Sequence, residues 1–343
     1  MKSVVLKAKG SKGGAGPVLV DLPSPELGEG DLLVDLKACG ICGTDIEKAK
    51  GQYTASAPVL GHEAVGIVAE VGDRVSAFKR GDRVFPHHHA PCGECALCLG
   101  QSQTMCADYR KSNLDPGGFS ESFRVPQWNV ERGAVLKLPD SISFELASLT
   151  EPLACCIRAM DRAGARSGGK ALVVGAGPVG LANALVLRSR GFDVWLSDVN
   201  KLRVEFAKSL GLGRVFDASS EDVPGQVRSG GEGVDLAVIA SGSPKAVSQG
   251  VRSVRKGGRV SLFGVPVEGS RFEQSLSDLY NSEISVIPSY GATEVETAEA
   301  LKILEGDRLG LGRLITHRFG LGEFAQAMGV AERGEGCKVV VVP

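Results

Sequence analysis

The chain has 343 residues, 43% of them hydrophobic and 23% charged, with 39 basic side chains against 40 acidic ones. That is the balance of an ordinary water-soluble protein with room for two domains. The charges nearly cancel, so no single-sign field exists to hold a nucleic acid or a membrane surface, and no run approaches the ~18 apolar residues of a membrane helix.

Residues 1–6 contain no apolar stretch long enough for a secretion signal, so a cytoplasmic location is expected. Nine cysteines in such a chain point to metal or catalytic use before disulfides. From 1 to about 152 the sequence is a series of short valine-containing runs broken by Gly, Pro and Asp. Residues 32–36 and 64–71 are two of them, and their alternation predicts strands. Between 81 and 120 the pattern lapses into a loop rich in His and Cys.

From 153 to 290 the pattern changes to strand, helix, strand. Residues 170–174 read as a buried strand, 181–190 as a helix stopped by Gly191, and 193–196, 234–239 and 259–263 as further strands. Strands alternating with helices predict a parallel sheet covered on both faces. The last segment, 291–343, holds a helix candidate at 294–304. Its closing strand, 338–342, is expected to return to the first domain.

The turn after residue 174, Gly175-Ala176-Gly177-Pro178-Val179-Gly180, sets G-x-G-x-x-G between a strand and a helix. Such a turn lets a pyrophosphate sit on the helix N-terminus. Eighteen residues beyond Gly180, Asp198 is placed to accept from an adenosine ribose and to repel a 2′-phosphate, which favours NAD over NADP. The other reading of Asp198 is a helix N-cap. Lys201 and Arg203 keep NADP open.

Cys92-x2-Cys95-x2-Cys98-x7-Cys106 can wrap a tetrahedral ion, and four thiolates leave no position for a substrate. The expectation is a structural zinc, with an iron–sulfur cluster as the competing metal. A second set is dispersed: Cys42 in Gly40-Ile41-Cys42-Gly43-Thr44-Asp45, His62 in Gly61-His62-Glu63, and Glu151 in Thr150-Glu151-Pro152. A catalytic zinc keeps three protein ligands and one open position, which these could supply.

In order along the chain, these segments resemble the zinc-containing medium-chain alcohol and polyol dehydrogenases. The stretch Gly61-His62-Glu63-x2-Gly66-x5-Gly72-x2-Val75 is similar to that family's zinc signature. The resemblance implies an α/β fold: a GroES-like β-rich catalytic domain plus a doubly wound Rossmann domain, with the active site in the cleft between them. It implies two zinc ions per chain, NAD as the cofactor, and a homodimer or homotetramer. Cys42, His62 and Glu151 then match the catalytic zinc ligands, and Glu63 lies beside the metal. Asp45 orients His62, and Thr44 takes the substrate proton. Many members have a histidine two residues after the Asp45 position. Glu47 stands there, either as the proton acceptor or bypassed by another route to solvent. Gly175, Gly177, Pro178, Val179, Gly180, Asp198 and Arg203 fall to the cofactor.

The implied reaction is oxidation of a secondary alcohol of a small polyol, sugar or related molecule, with the metal as Lewis acid and hydride passing to nicotinamide. The alternatives are a threonine-type amino-alcohol, an aldose or a simple alcohol as substrate, and Glu151 argues against the last. A zinc-free quinone-reductase-like or inactive relative would lack the Cys loop and the dispersed ligands.

Other residues are more ambiguous. Cys39, Cys155, Cys156 and Cys337 read as packing residues. His87, His88 and His89 are adjacent, and neighbours on a strand point to opposite faces, so joint ligation is not expected. His88, four residues before Cys92, reads either as part of a solvated loop or, by the resemblance, as a side chain lining the substrate pocket. His317 reads as surface. Lys338 reads either as a basic residue near the cleft or as a solvated strand end.

Overall fold

The computed structural model describes residues 1–7, 16–51, 59–266, 269–271 and 274–343. Contacts divide the chain into two compact units, Met1–Ala154 together with Gly291–Pro343, and Cys155–Tyr290.

The first unit is organised by the strand Leu32–Gly40, in which Leu32, Val34, Leu36 and Ala38 are buried and the residues between them are half-buried. This period of two is what a strand needs when one face meets a core. It pairs antiparallel with Glu63–Val71 and Ser122–Val125, and through Val340 and Val341 with Lys338–Val342. The seven-stranded sheet runs Ile315–Gly320, Lys338–Val342, Leu32–Gly40, Glu63–Val71, Arg83–Pro86 and Val135–Lys137, with Ser122–Val125 branching from Leu32–Gly40. Phe119, Phe123, Phe324, Val339 and Val341 pack on this sheet. The chain's last strand therefore lies beside one of its first.

In the second unit six parallel strands lie in the order Val215–Asp217, Phe192–Asp198, Gly169–Val174, Val234–Ile239, Val254–Leu262 and Ser285–Pro288. Numbered by sequence this is 3-2-1-4-5-6, the doubly wound arrangement, whose direction reverses between Gly169–Val174 and Val234–Ile239. Leu172, Val173, Ala237 and Val238 are fully buried at its centre. Among the described residues no helix is long and apolar enough to cross a membrane.

Candidate functional site

Cys42 follows the end of Leu32–Gly40 and caps the short helix Gly43–Ala49. Asp45, in the first turn of that helix, is fully buried. One of its oxygens accepts from the Cys42 N–H at 3.0 Å. The other accepts from the Gly61 N–H at 3.1 Å and lies 3.6 Å from His62 Nδ1. A single carboxylate thus ties together the two loops that carry Cys42 and His62. Burial opposes its charge, yet His62 and the two backbone donors hold Asp45 below the usual carboxylate range.

The ligand atoms of Cys42, His62 and Glu63 lie within 4.8 Å of one another. Burial works against a charge on His62, but Asp45 and the Cys42 thiol raise its pKa well above the ordinary imidazole value. A field that draws a proton to this ring also draws a cation, and a metal would displace that proton. The donor set therefore suits a borderline cation such as zinc.

Glu63 is fully buried and forms an ion pair with Lys338, which is 2% exposed and also donates to the Ile41 carbonyl at 3.1 Å. Lys338 is no solvated strand end. It opens the strand Lys338–Val342, and its buried side chain turns to the buried carboxylate. Gly40 makes room for the pair, since a Cβ at that position would come within 2.0 Å of Glu63 Oε2 and 2.6 Å of Lys338 Cε.

Glu151, at the start of the helix Thr150–Arg162, groups with His87 and His88, again with ligand atoms within 4.8 Å. The expected opposition of adjacent histidines does not arise, because the strand Arg83–Pro86 ends before them and the chain bends. The His88 ring lies 5.1 Å from that of His62. Burial pushes the pKa of His87 down to about 3 and that of His89 to about 4, and lowers that of His88. Thr44 and Glu47 are half-buried, three residues apart on the helix Gly43–Ala49, and burial raises the Glu47 pKa.

Cys92, Cys95, Cys98 and Cys106 converge, with sulfur separations of 3.5 Å for Cys95–Cys98 and for Cys106–Cys92, and 3.8 Å for Cys92–Cys98. Backbone N–H groups of Glu94 and Cys95 lower Cys92 to about 7, whereas burial and the adjacent sulfurs push Cys98 up to about 12. Four sulfurs this close cannot all ionise unaided, and a bound cation removes that conflict. Cys39 is fully buried and belongs to none of these groups.

In the second unit Gly177 caps the helix Pro178–Ser189. A Cβ at Gly180 would come within 1.8 Å of the Gly175 carbonyl oxygen, so only glycine permits this approach of turn and helix. Asp198 ends its strand and accepts from the Ala176 N–H at 2.7 Å and the Asn200 N–H at 2.8 Å. Asn200, not Asp198, caps the next helix, Lys201–Ser209. Arg203 Nη1 lies 3.9 Å from Asp198 Oδ2. The link from Asp198 to the Gly-rich turn is invisible to spacing alone.

Residues 28–140 match the alcohol dehydrogenase GroES-like domain and 178–306 the zinc-binding dehydrogenase domain. The chain is 32% identical over 335 residues to L-threonine 3-dehydrogenase of Yersinia pestis, covering 94% of this chain and 95% of that one. It belongs to the zinc-containing medium-chain dehydrogenase/reductase family. Within this family the chain is a zinc-binding, NAD(P)-dependent dehydrogenase. A Sinorhizobium meliloti 1021 dehydrogenase-family structure bound to NADP is similar at 29% identity and TM-score 0.85, covering 100% of this chain and 99% of that one. Galactitol-1-phosphate dehydrogenase of Escherichia coli is similar at 25% identity and TM-score 0.84, with both chains covered fully.

Proposed function

We propose that this medium-chain dehydrogenase oxidises the secondary hydroxyl of a small amino-alcohol of the threonine type, with NAD as the preferred acceptor and one catalytic and one structural zinc per chain. The observation that carries the reading is the convergence of the Cys42 thiol, the His62 imidazole and the Glu63 carboxylate within 4.8 Å, in a chain that also gathers four thiols elsewhere. Resemblance to L-threonine 3-dehydrogenase over nearly the whole length supports an amino-alcohol over the polyol or sugar read from the motifs. Threonine's hydroxyl is itself secondary, so the reaction class is unchanged. A polyol is the second reading, supported by the likeness to galactitol-1-phosphate dehydrogenase.

Cys42, His62 and Glu151 would hold the catalytic zinc, with Glu63 beside it. A Lewis acid there supplies stabilisation of an alkoxide. The chain's own residues do the rest. Asp45 fixes the His62 ring through Nδ1, the arrangement that keeps a ligating imidazole oriented. Thr44 takes the hydroxyl proton. Glu47, on the same helix face and with its pKa raised by burial, is the next acceptor. His88 lines the substrate pocket. Gly175, Gly177, Pro178, Val179 and Gly180 receive the pyrophosphate, and Asp198 with Arg203 the adenosine ribose.

Initial rates with L-threonine, polyols, aldoses and short alcohols, each with NAD and NADP, test the reading. L-Threonine with NAD should give the highest kcat/KM. A polyol exceeding it tenfold or more (~1.4 kcal/mol of transition-state preference) would transfer the assignment to the second reading.

A further inference from the structure

The histidine run holds ring nitrogens for which the proposed mechanism supplies no partner. His87 is fully buried, and its Nδ1 faces the His89 carbonyl oxygen at 2.6 Å. A carbonyl only accepts, so Nδ1 carries the hydrogen and Nε2 presents a lone pair. That Nε2 is buried with no hydrogen-bond partner, and so is His88 Nδ1. Leaving such a nitrogen buried and unsatisfied carries a desolvation penalty that a bound cation would remove. One ring nitrogen donating to a backbone carbonyl while the other is bare is also the arrangement of a metal-ligating imidazole.

The backbone around these rings is fixed. The His87 N–H donates to Ala134 O at 2.7 Å, and Asn129 Nδ2 donates to His87 O at 2.7 Å. One ring nitrogen of each histidine lies within 4.8 Å of the other and of a Glu151 carboxylate oxygen. This group borders the Cys42–His62–Glu63 group through the 5.1 Å contact of His62 with His88, yet shares none of its donors.

We propose that His87, His88 and Glu151 form a second divalent-cation site beside the Cys42–His62 centre, taking a metal of the zinc, cobalt or nickel class. Two imidazoles and one carboxylate suit those ions better than calcium or magnesium, which prefer oxygen. The site rests on the functional reading only in that Glu151 is there a ligand of the catalytic zinc. A carboxylate has two oxygens and can serve both ions. Three protein donors leave the shell open, as in metal sites that also bind a substrate atom.

The test is a count of metal in the full chain at equilibrium with micromolar buffered zinc. Wild type should hold about three ions per chain, and Cys42→Ser and the double variant His87→Asn/His88→Asn about two each. About two in wild type with about one in Cys42→Ser would overturn the proposal, as would a double variant that holds as many ions as wild type. If the double variant fails to fold, His88→Gln alone should weaken retention of the third ion about tenfold or more against a chelator, and unchanged retention overturns the site. Cobalt added to Cys42→Ser carrying a single zinc per chain, in the four-cysteine lobe, should give visible d–d bands without a sulfur charge-transfer band, and a sulfur band would place the ion elsewhere. None of these readouts needs turnover. Absence of dehydrogenase activity would refute the functional reading while leaving the count to decide the site.

Discussion

A carboxylate with no exposed surface keeps its charge only if a cation is packed against it. Glu63 has Lys338, and neither side chain reaches solvent to any useful extent. Lys338→Met should lower stability by about 3–5 kcal/mol, because it strands a buried charge. Urea denaturation measures this, and Glu63→Gln added to it should recover much of the loss. Cys42→Ser should behave in the opposite way. Turnover should vanish while the circular dichroism spectrum and unfolding midpoint stay near wild type, since that thiol is half-buried and outside the core. Residual activity within tenfold of wild type would remove Cys42 from the mechanism. At this scale the sequence indicated which residue types carry chemistry, but not how they pair. His87 and His88 looked incompatible because a strand pattern does not show that the strand stops at Pro86. Lys338 read as well for a solvated strand end as for a basic residue near the cleft, because a lysine opening a valine run gives no sign of the carboxylate it faces.

Elements were more legible than pairings, since strand periodicity is local. The residue runs 234–239, 294–304 and 338–342 coincide with observed elements. The sheet partners of those strands depend on contacts distant in sequence, which periodicity does not encode. Asp31 shows how such partners are fastened. It is 5% exposed, accepts from the Gly28 and Gln127 N–H groups, and pairs with Arg124 on the neighbouring strand. Burial opposes its charge, but Arg124 and the two backbone donors hold its pKa below the usual value. A lowered carboxylate pKa stabilises the fold fully above the unfolded value of ~4, and that contribution fades as pH falls through the lower folded value. Melting temperatures of wild type should therefore drop below about pH 4, and Asp31→Asn should be less stable at neutral pH with a shallower acid decline. The four-cysteine lobe is fastened by chemistry instead. Cys95→Ser should lower stability or solubility by opening a closed metal shell; an unfolding midpoint equal to the parent's would show that the lobe needs no ion.

For the molecule as a whole, motif order along the chain carried more than any single motif, because Gly-rich turns, Cys clusters and His-Glu pairs each arise for other reasons. Substrate identity was not legible. It depends on a few side chains gathered from distant segments, and one hydroxyl or amine decides it. Cofactor choice lies between. Asp198 was readable from its distance to the turn, but Arg203 lies close enough to its carboxylate to offset part of that charge. Asp198→Gly should erode the proposed preference for NAD over NADP, measured as the ratio of kcat/KM values. An unchanged ratio would assign cofactor choice to another residue.

The parallel-sheet unit is one continuous stretch, Cys155–Tyr290, whereas the other is assembled from both ends of the chain. During synthesis the continuous unit can complete itself while the ribosome is still at work, since domains fold as units in order of emergence. The discontinuous one has to wait. Its counter-charge for Glu63 arrives on Lys338, whose ammonium also reaches a carbonyl 297 residues earlier. A nascent chain stalled before that lysine would carry a finished nucleotide fold and an uncompensated acid in an open half-sheet, a form for chaperones to hold and proteases to find.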